Sequence, residues 1–411
     1  MSTIESQTIR RRLPRWRDVS PLLRFDPPTL DRAARRLRKA STIEDLRLVA
    51  RRRTPRSVFD YVDGAAEQEI SIGRARSAFA NIEFKPRVLR DVAEVSTSVT
   101  VLGADSALPM VLAPTGFTRM MHHEGELAVA AAAARAGIPY VLSTMGTTGL
   151  QDVRALAPES RQWFQLYLWK DRDASESMIE RAMAADYEAL VLTVDTPVAG
   201  ARMRDVYNGL TIPPTLTLRT LAGMAVHPSW WLNVLSTEPL EFASMSSFDG
   251  TVAELVGKMF DPSAVVEDLA WLRARWPRKL VIKGIQSVDD ARMVTDLGAD
   301  AIVVSNHGGR QLDRAPTPLE LLPRIVDAVG DRCEVMIDTG VRTGADLVAA
   351  RAMGASAAMV GRAYLYGLMA GGEAGVARAL DIFRTETVRT LQLLGVADAR
   401  SLGPEHASLR G

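Results

Sequence analysis

The chain has 411 residues, 47% of them hydrophobic and 24% charged, an ordinary globular composition able to fill one large barrel or two domains. A formal net charge of +1 supplies no global field for nucleic acid, and the single cysteine, Cys333, excludes an internal disulfide and suits a reducing cytosol. No run approaches the ~20 apolar residues of a spanning helix. The five histidines (His122, His123, His227, His307, His406) show no HExxH or comparable metal spacing, so no metal site is expected.

The N-terminal stretch is arginine-rich, from Arg10 to Arg17 and again from Arg32 to Arg38, and lacks the apolar core of a secretory signal. It reads as a solvated arm that packs on the rest of the chain or on a neighbouring subunit. Attachment to anionic lipid is the alternative, carried by charge alone. From about Pro109 onward, short apolar runs alternate with helix-like segments. The expected strands are Met110–Ala113, Tyr140–Ser143, Phe164–Leu168, Leu190–Val194, Leu280–Lys283, Ala301–Ser305, Val335–Asp338 and Ala358–Gly361. Eight such runs fit a (β/α)8 TIM barrel better than a two-domain open sheet. Residues 1–108 then form an N-terminal arm and helical cap and residues 109–411 the barrel, as a single structural domain. About 80 residues separate Val194 from Leu280, far more than an ordinary βα connection needs. That insert, about 205–265, carries Pro213-Pro214, Trp230-Trp231, Pro239 and Phe242 and reads as a lid or interaction surface. Its paired tryptophans are expected under the lid or at a subunit contact, with shallow membrane anchoring as the second reading.

Polar residues recur at the strand ends, where α/β barrels bind ligands. Strand one runs into Pro114-Thr115-Gly116, and strand two ends at Ser143. Strand three presents Gln165 and Tyr167, strand four Thr193 and Asp195, and strand five Lys283. Members of each pair are two apart and share a face. Strand seven ends in Asp338-Thr339-Gly340 followed by Arg342, and strand eight in Gly361-Arg362, a combination suited to a phosphate. Strand six ends in the most informative string of the chain, SNHGGRQLD from Ser305 to Asp313. His307 can serve as a base and Arg310 as a carboxylate clamp, while Gly308 and Gly309 let the backbone approach something flat or bulky.

This string resembles the active-site signature of the FMN-dependent L-2-hydroxy-acid oxidases and dehydrogenases, and the resemblance runs from about Thr42 to Gly395. It implies FMN held non-covalently by Pro114, Thr115, Gly116, Ser143, Gln165, Thr193, Lys283, Ser305, Asp338, Gly340, Arg342, Gly361 and Arg362. Lys283 would face the pyrimidine edge of the flavin and stabilise negative charge on the reduced ring. The resemblance further assigns Tyr61 (in SVFDYVDGAAE), Tyr167, Arg202 (in VDTPVAGARMRD) and Arg310 to the substrate. His307 becomes the base, and Asp195 the carboxylate that orients it. A homotetramer is implied as well. NAD is not expected, because no strand is followed by GxGxxG with an acidic residue ~20 positions later.

Three departures bear on specificity. Gly116 stands where many oxidases of the family have alanine, Met145 where glycolate oxidase has tryptophan, and DTGVR replaces DGGVR, placing Thr339 at a glycine position. The leading expectation is oxidation of an L-2-hydroxy acid, lactate first, to the 2-keto acid, with electrons passing to a quinone or another acceptor. An oxidase releasing hydrogen peroxide from O2, a lactate 2-monooxygenase, and a flavin-binding protein without catalysis are the other readings. The expected location is cytoplasmic, with peripheral contact at the inner face of the cell membrane as a further expectation.

Overall fold

The computed structural model describes residues 12–23, 31–209, 223, 225–240, 242–243 and 259–410. Its centre is a closed barrel of eight parallel strands: β1 (Met110–Leu112), β2 (Tyr140–Ser143), β3 (Gln162–Leu166), β4 (Ala189–Thr193), β5 (Lys279–Ile285), β6 (Ala301–Val304), β7 (Glu334–Ile337) and β8 (Ala358–Val360). Each strand pairs with its neighbours in sequence, and β8 pairs with β1 to close the ring. This is the (β/α)8 TIM barrel expected from the sequence. The one clear shift is β3, which lies two residues earlier than its apolar run suggests. Its polar start is buried because the Gln162 side chain donates to the carbonyls of Val153 and Ala157, and the Trp163 indole donates to Glu188.

The pleat sorts the strand residues into two populations. Val111, Val141, Trp163, Val191, Val281, Val303, Met336 and Met359 are fully buried and form one cluster inside the barrel. A hairpin, Val99–Val101 with Ala104–Ser106, plugs the amino-terminal end of that cluster. The alternate residues, among them Leu112, Leu142, Phe164, Leu190, Ile282 and Ile302, face the surrounding helices in a second cluster. Moving two residues along each strand from the inner layer reaches Ala113, Ser143, Gln165, Thr193, Lys283, Ser305, Asp338 and Gly361. An apolar floor thus gives way, on the same face, to a layer of small and polar side chains at the carboxyl end.

The N-terminal segments cover this end and the adjoining side. Helix Arg32–Lys39 buries only Leu37, against Gly371 in the long helix Arg362–Leu394. Helix Arg56–Asp63 ends in Asp63, whose buried carboxylate accepts from Arg47, Arg204 and the Tyr366 hydroxyl. Burial opposes this charge, and the two arginines with the tyrosine outweigh it, holding the carboxyl well below the usual range. Residues 12–23, in contrast, have no buried side chain, and Leu13, Trp16 and Leu22 are exposed.

The described parts of the insert return to the β1 loop. Helix Met203–Asn208 follows β4, the Trp230 indole in helix Pro228–Leu235 donates to the Met120 carbonyl at 2.9 Å, and the Phe242 ring lies 4.5 Å from that of Phe117. Pro213-Pro214 lies outside the described residues. Both tryptophans are half-buried, and around them, among the described residues, Val226, Leu232 and Leu235 are exposed.

Candidate active site

The loop after β6 sets the geometry. His307, Gly308 and Gly309 form a tight turn with φ of 59°, 68° and 70°, the left-handed region that L side chains avoid. Gly308 leaves room for Arg362: a Cβ there would come within 2.6 Å of its guanidinium, which would have to shift. Asn306 braces the turn, accepting from the Gly309 N–H and donating to the Pro316 carbonyl. Asp313, the last residue of the string, accepts from the Gln68, Ile70 and Ser71 N–H groups and ties the loop to helix Ile70–Ala80.

His307 Nδ1 lies 2.9 Å from Asp195 Oδ1. A carboxylate only accepts, so the proton of the neutral ring is assigned to Nδ1, and Nε2 is left as the acceptor. Burial disfavours the Asp195 charge, yet His307 and then Lys283 hold its carboxyl below the ordinary value. Gly284 makes this approach feasible: a Cβ there would fall 2.7 Å from Asp195. Lys283, also buried, is held by Asp338 at 2.7 Å and donates to Ser305 Oγ at 3.0 Å. Burial opposes its charge as well, and Asp338 and Asp195 raise its pKa in spite of it.

A cavity of about 580 Å³ opens over this layer. Pro114, Thr115, Gly116, Ser143, Gln165, Thr193, Lys283, Asp338, Gly340, Arg342, Gly361 and Arg362 line it, together with Tyr61, Tyr167, Arg202, His307 and Arg310. Asp195 and Ser305 sit one layer behind, under His307 and Lys283. The Tyr61 ring lies between two guanidiniums, Arg202 at 5.1 Å and Arg310 at 5.0 Å from its centroid. Burial, with Asp195 nearby, pushes the Tyr167 phenol up, so it remains a neutral donor. Sequence reasoning missed several cavity residues, and three of them bear on the substrate end. Asp205 pairs with Arg202 at 3.1 Å, Phe260 packs edge-on against Tyr167, and Met121 adds an apolar wall. Only Asp205 left a signal, the Arg–x–x–Asp spacing of one helical turn.

Two arginines face the cavity without a carboxylate among the described residues. Arg310 donates to the carbonyls of Tyr61 and Gly64, and Arg362 to those of Val62 and Gly64. Burial, then the Arg202 charge, pushes the Arg310 pKa down to about 10, and burial lowers that of Arg362. Both remain cations at neutral pH whose desolvation an anionic ligand would offset. Arg342 is more engaged, 3.6 Å from Glu44 and stacked over Tyr366.

The donor set also fits the flavin implied by the sequence. Gln165 uses its carbonyl oxygen on Ser143 Oγ and the Thr144 N–H, and its buried amide nitrogen has no protein partner. The buried Thr193 hydroxyl has none either. An amide N–H and a hydroxyl side by side on the inner face suit the polar edge of an isoalloxazine ring, and Arg362 with the Gly340 and Gly361 backbone suits its phosphate.

Gly116 has a local cause. A Cβ at this position would lie 2.6 Å from the Met145 Cβ and 3.2 Å from its carbonyl oxygen. Gly116→Ala is therefore expected to force the two loops apart, destabilising the protein by about 1–3 kcal/mol. Denaturant unfolding checks this, and Met145→Gly in the same chain should recover much of the loss.

Known proteins supply the family. A family model described as FMN-dependent dehydrogenase matches residues 50–409. The chain is 55% identical over 400 residues to a Mycobacterium tuberculosis protein provisionally named an L-lactate dehydrogenase, covering 97% of each. It is 43% identical to the L-lactate dehydrogenase of Caulobacter vibrioides, over 88% of this chain and 96% of that one. Among solved structures, the monotopic membrane protein (S)-mandelate dehydrogenase superposes with a TM-score of 0.87 at 38% identity, covering 90% of this chain and all of the other. The chain belongs to the FMN-dependent dehydrogenase family and is an FMN-dependent 2-hydroxy-acid dehydrogenase.

Proposed function

We propose that this enzyme oxidises L-lactate or a close L-2-hydroxy acid to the 2-keto acid, with His307 as base. One observation supports this most: a carboxylate-held histidine shares a cavity with Arg310, a half-buried guanidinium that has no carboxylate partner among the described residues. Bound FMN would supply the two-electron acceptor. Pro114 to Gly116, Ser143, Gln165, Thr193, Lys283, Gly340, Gly361 and Arg362 would hold it, with Ser305 and Asp338 fixing Lys283 and Arg342 adding charge. Arg310 and Arg202 grip the substrate carboxylate, and Tyr61 donates to the same group. Tyr167, a neutral donor, bonds the α-oxygen. His307 Nε2 takes the substrate proton, and Asp195 stabilises the imidazolium that results. Arg202 must exchange Asp205 for the substrate, so its contribution is smaller than that of Arg310.

Arg310→Lys is expected to raise KM by about 10- to 100-fold, the loss of one charge-assisted hydrogen bond and of the planar fork, with a smaller effect on flavin reduction at saturating substrate. Rapid-mixing measurements across substrate concentration separate the two.

The proposed electron acceptor is a quinone or similar carrier, reached under the insert, at a membrane surface. Exposed Val226, Leu232 and Leu235 support a shallow apolar contact, and the structural relative is named a monotopic membrane protein. Reoxidation of the reduced enzyme tests this. Oxygen acting as fast as a soluble quinone, with stoichiometric peroxide, makes the enzyme an oxidase. A homotetramer is proposed as well, since residues 12–23 bury nothing on their own barrel. Light scattering that shows only monomer at micromolar concentration overturns it.

A further inference from the structure

Thr339 stands where the DGGVR signature that this loop resembles has glycine, and it does so at a conformational cost. Its φ is 70°, a region that a β-branched side chain enters only under constraint, and it is buried. A glycine there would be free of strain, so the hydroxyl must return something. Its hydrogen bonds show what. Thr339 Oγ1 donates to Asp338 Oδ1 at 2.8 Å and accepts from the Gly308 N–H at 2.9 Å. Its single proton and one lone pair are both used, so the two bonds are compatible.

These bonds close a circuit. Asp338 Oδ2 holds Lys283 Nζ, and Lys283 Nζ donates to Ser305 Oγ. Ser305 Oγ in turn accepts from the His307 N–H. Lys283 is thereby tied to the His307 turn by two routes, through Ser305 to residue 307 and through Asp338 and Thr339 to residue 308. Without the hydroxyl only the first route remains. The Gly308 N–H then loses its partner in a turn already held in left-handed backbone, and one oxygen of Asp338 is freed beside the lysine.

We infer that Thr339 is a positioning residue, whose hydroxyl couples the Lys283–Asp338 ion pair to the backbone of the catalytic turn, fixing at once the direction of His307 and the balance of charge at Lys283. The inference rests on the proposed roles of His307 and Lys283. Loss of the hydroxyl leaves Asp338 more strongly committed to neutralising Lys283, so less positive charge is available to the reduced flavin and its potential falls.

Three variants of the full-length, FMN-loaded enzyme test this. Thr339→Val keeps the branched shape without the hydroxyl, Thr339→Gly removes the hydroxyl and the strain together, and Thr339→Ser keeps the hydroxyl alone. The midpoint potential of the bound flavin, measured by chemical reduction without substrate, should fall in Val and Gly and remain near wild type in Ser. Flavin reduction by substrate should slow roughly tenfold in Val and Gly, the loss of about one hydrogen bond to a charged group, with KM within about twofold. Ser should restore most of the rate. A Gly variant with wild-type potential and rate overturns the inference, as does a Ser variant as impaired as Val, which would assign the effect to the methyl group. If Val does not fold, Gly and Ser still decide. The potential needs no substrate, so it reads the inference even if the substrate assignment fails.

Discussion

His307→Gln leaves FMN bound and slows its reduction by substrate by ~10²–10⁴-fold, the range for loss of a general base, and by more if the same ring stabilises charge in the transition state. The expectation follows from the separation of tasks in the cavity. The groups offered to the flavin, from Gln165 and Thr193 to Arg362, do not depend on the imidazole. The His307 ring touches Asp195, while its backbone N–H, which the substitution retains, holds the turn to Ser305. The purified variant should therefore be yellow, with wild-type flavin content, and fail to bleach on anaerobic mixing with substrate. Near-normal bleaching would remove His307 from the mechanism.

Asp195→Asn should cost ~10²–10³-fold in the same step, through loss of the charge that stabilises the imidazolium. The amide can still bond Nδ1, so a modest loss would reduce Asp195 to an orienting group. The carboxylate carries a stability term too. Its pKa is lowered in the fold, so this term is fully present above the unfolded value of ~3.9 and is lost as pH falls through the folded one. The wild type should lose more stability than the Asn variant on acidification, which denaturant melts at neutral and acid pH would reveal.

Most of the barrel was legible because its strands are buried on both faces and read as continuous apolar runs; AIVV of β6 and the apolar stretch of β5 fell into place within a residue or two. The inner polar layer was legible for a geometric reason, since two residues past each core position the pleat returns to the same face. β3 was displaced because its first residue, Gln162, is polar and satisfied internally, which hides a strand start from a hydrophobic pattern. The contacts between distant segments were not legible. Phe260 arrives beside Tyr167 from the far end of the insert, and Asp313 reaches back to the amino end of helix Ile70–Ala80. Thr339 stood out in the sequence as a departure near a phosphate site. Its bonds to Asp338 and Gly308 place it with the His307 turn, a link that no local pattern encodes.

Anaerobic rapid mixing of the FMN-loaded enzyme with L-lactate and a panel of longer L-2-hydroxy acids tests the central claim most directly. The L acids should bleach the flavin saturably and completely, with formation of one equivalent of 2-keto acid, and the D enantiomers should react little. A yellow enzyme that no 2-hydroxy acid bleaches would contradict the claim.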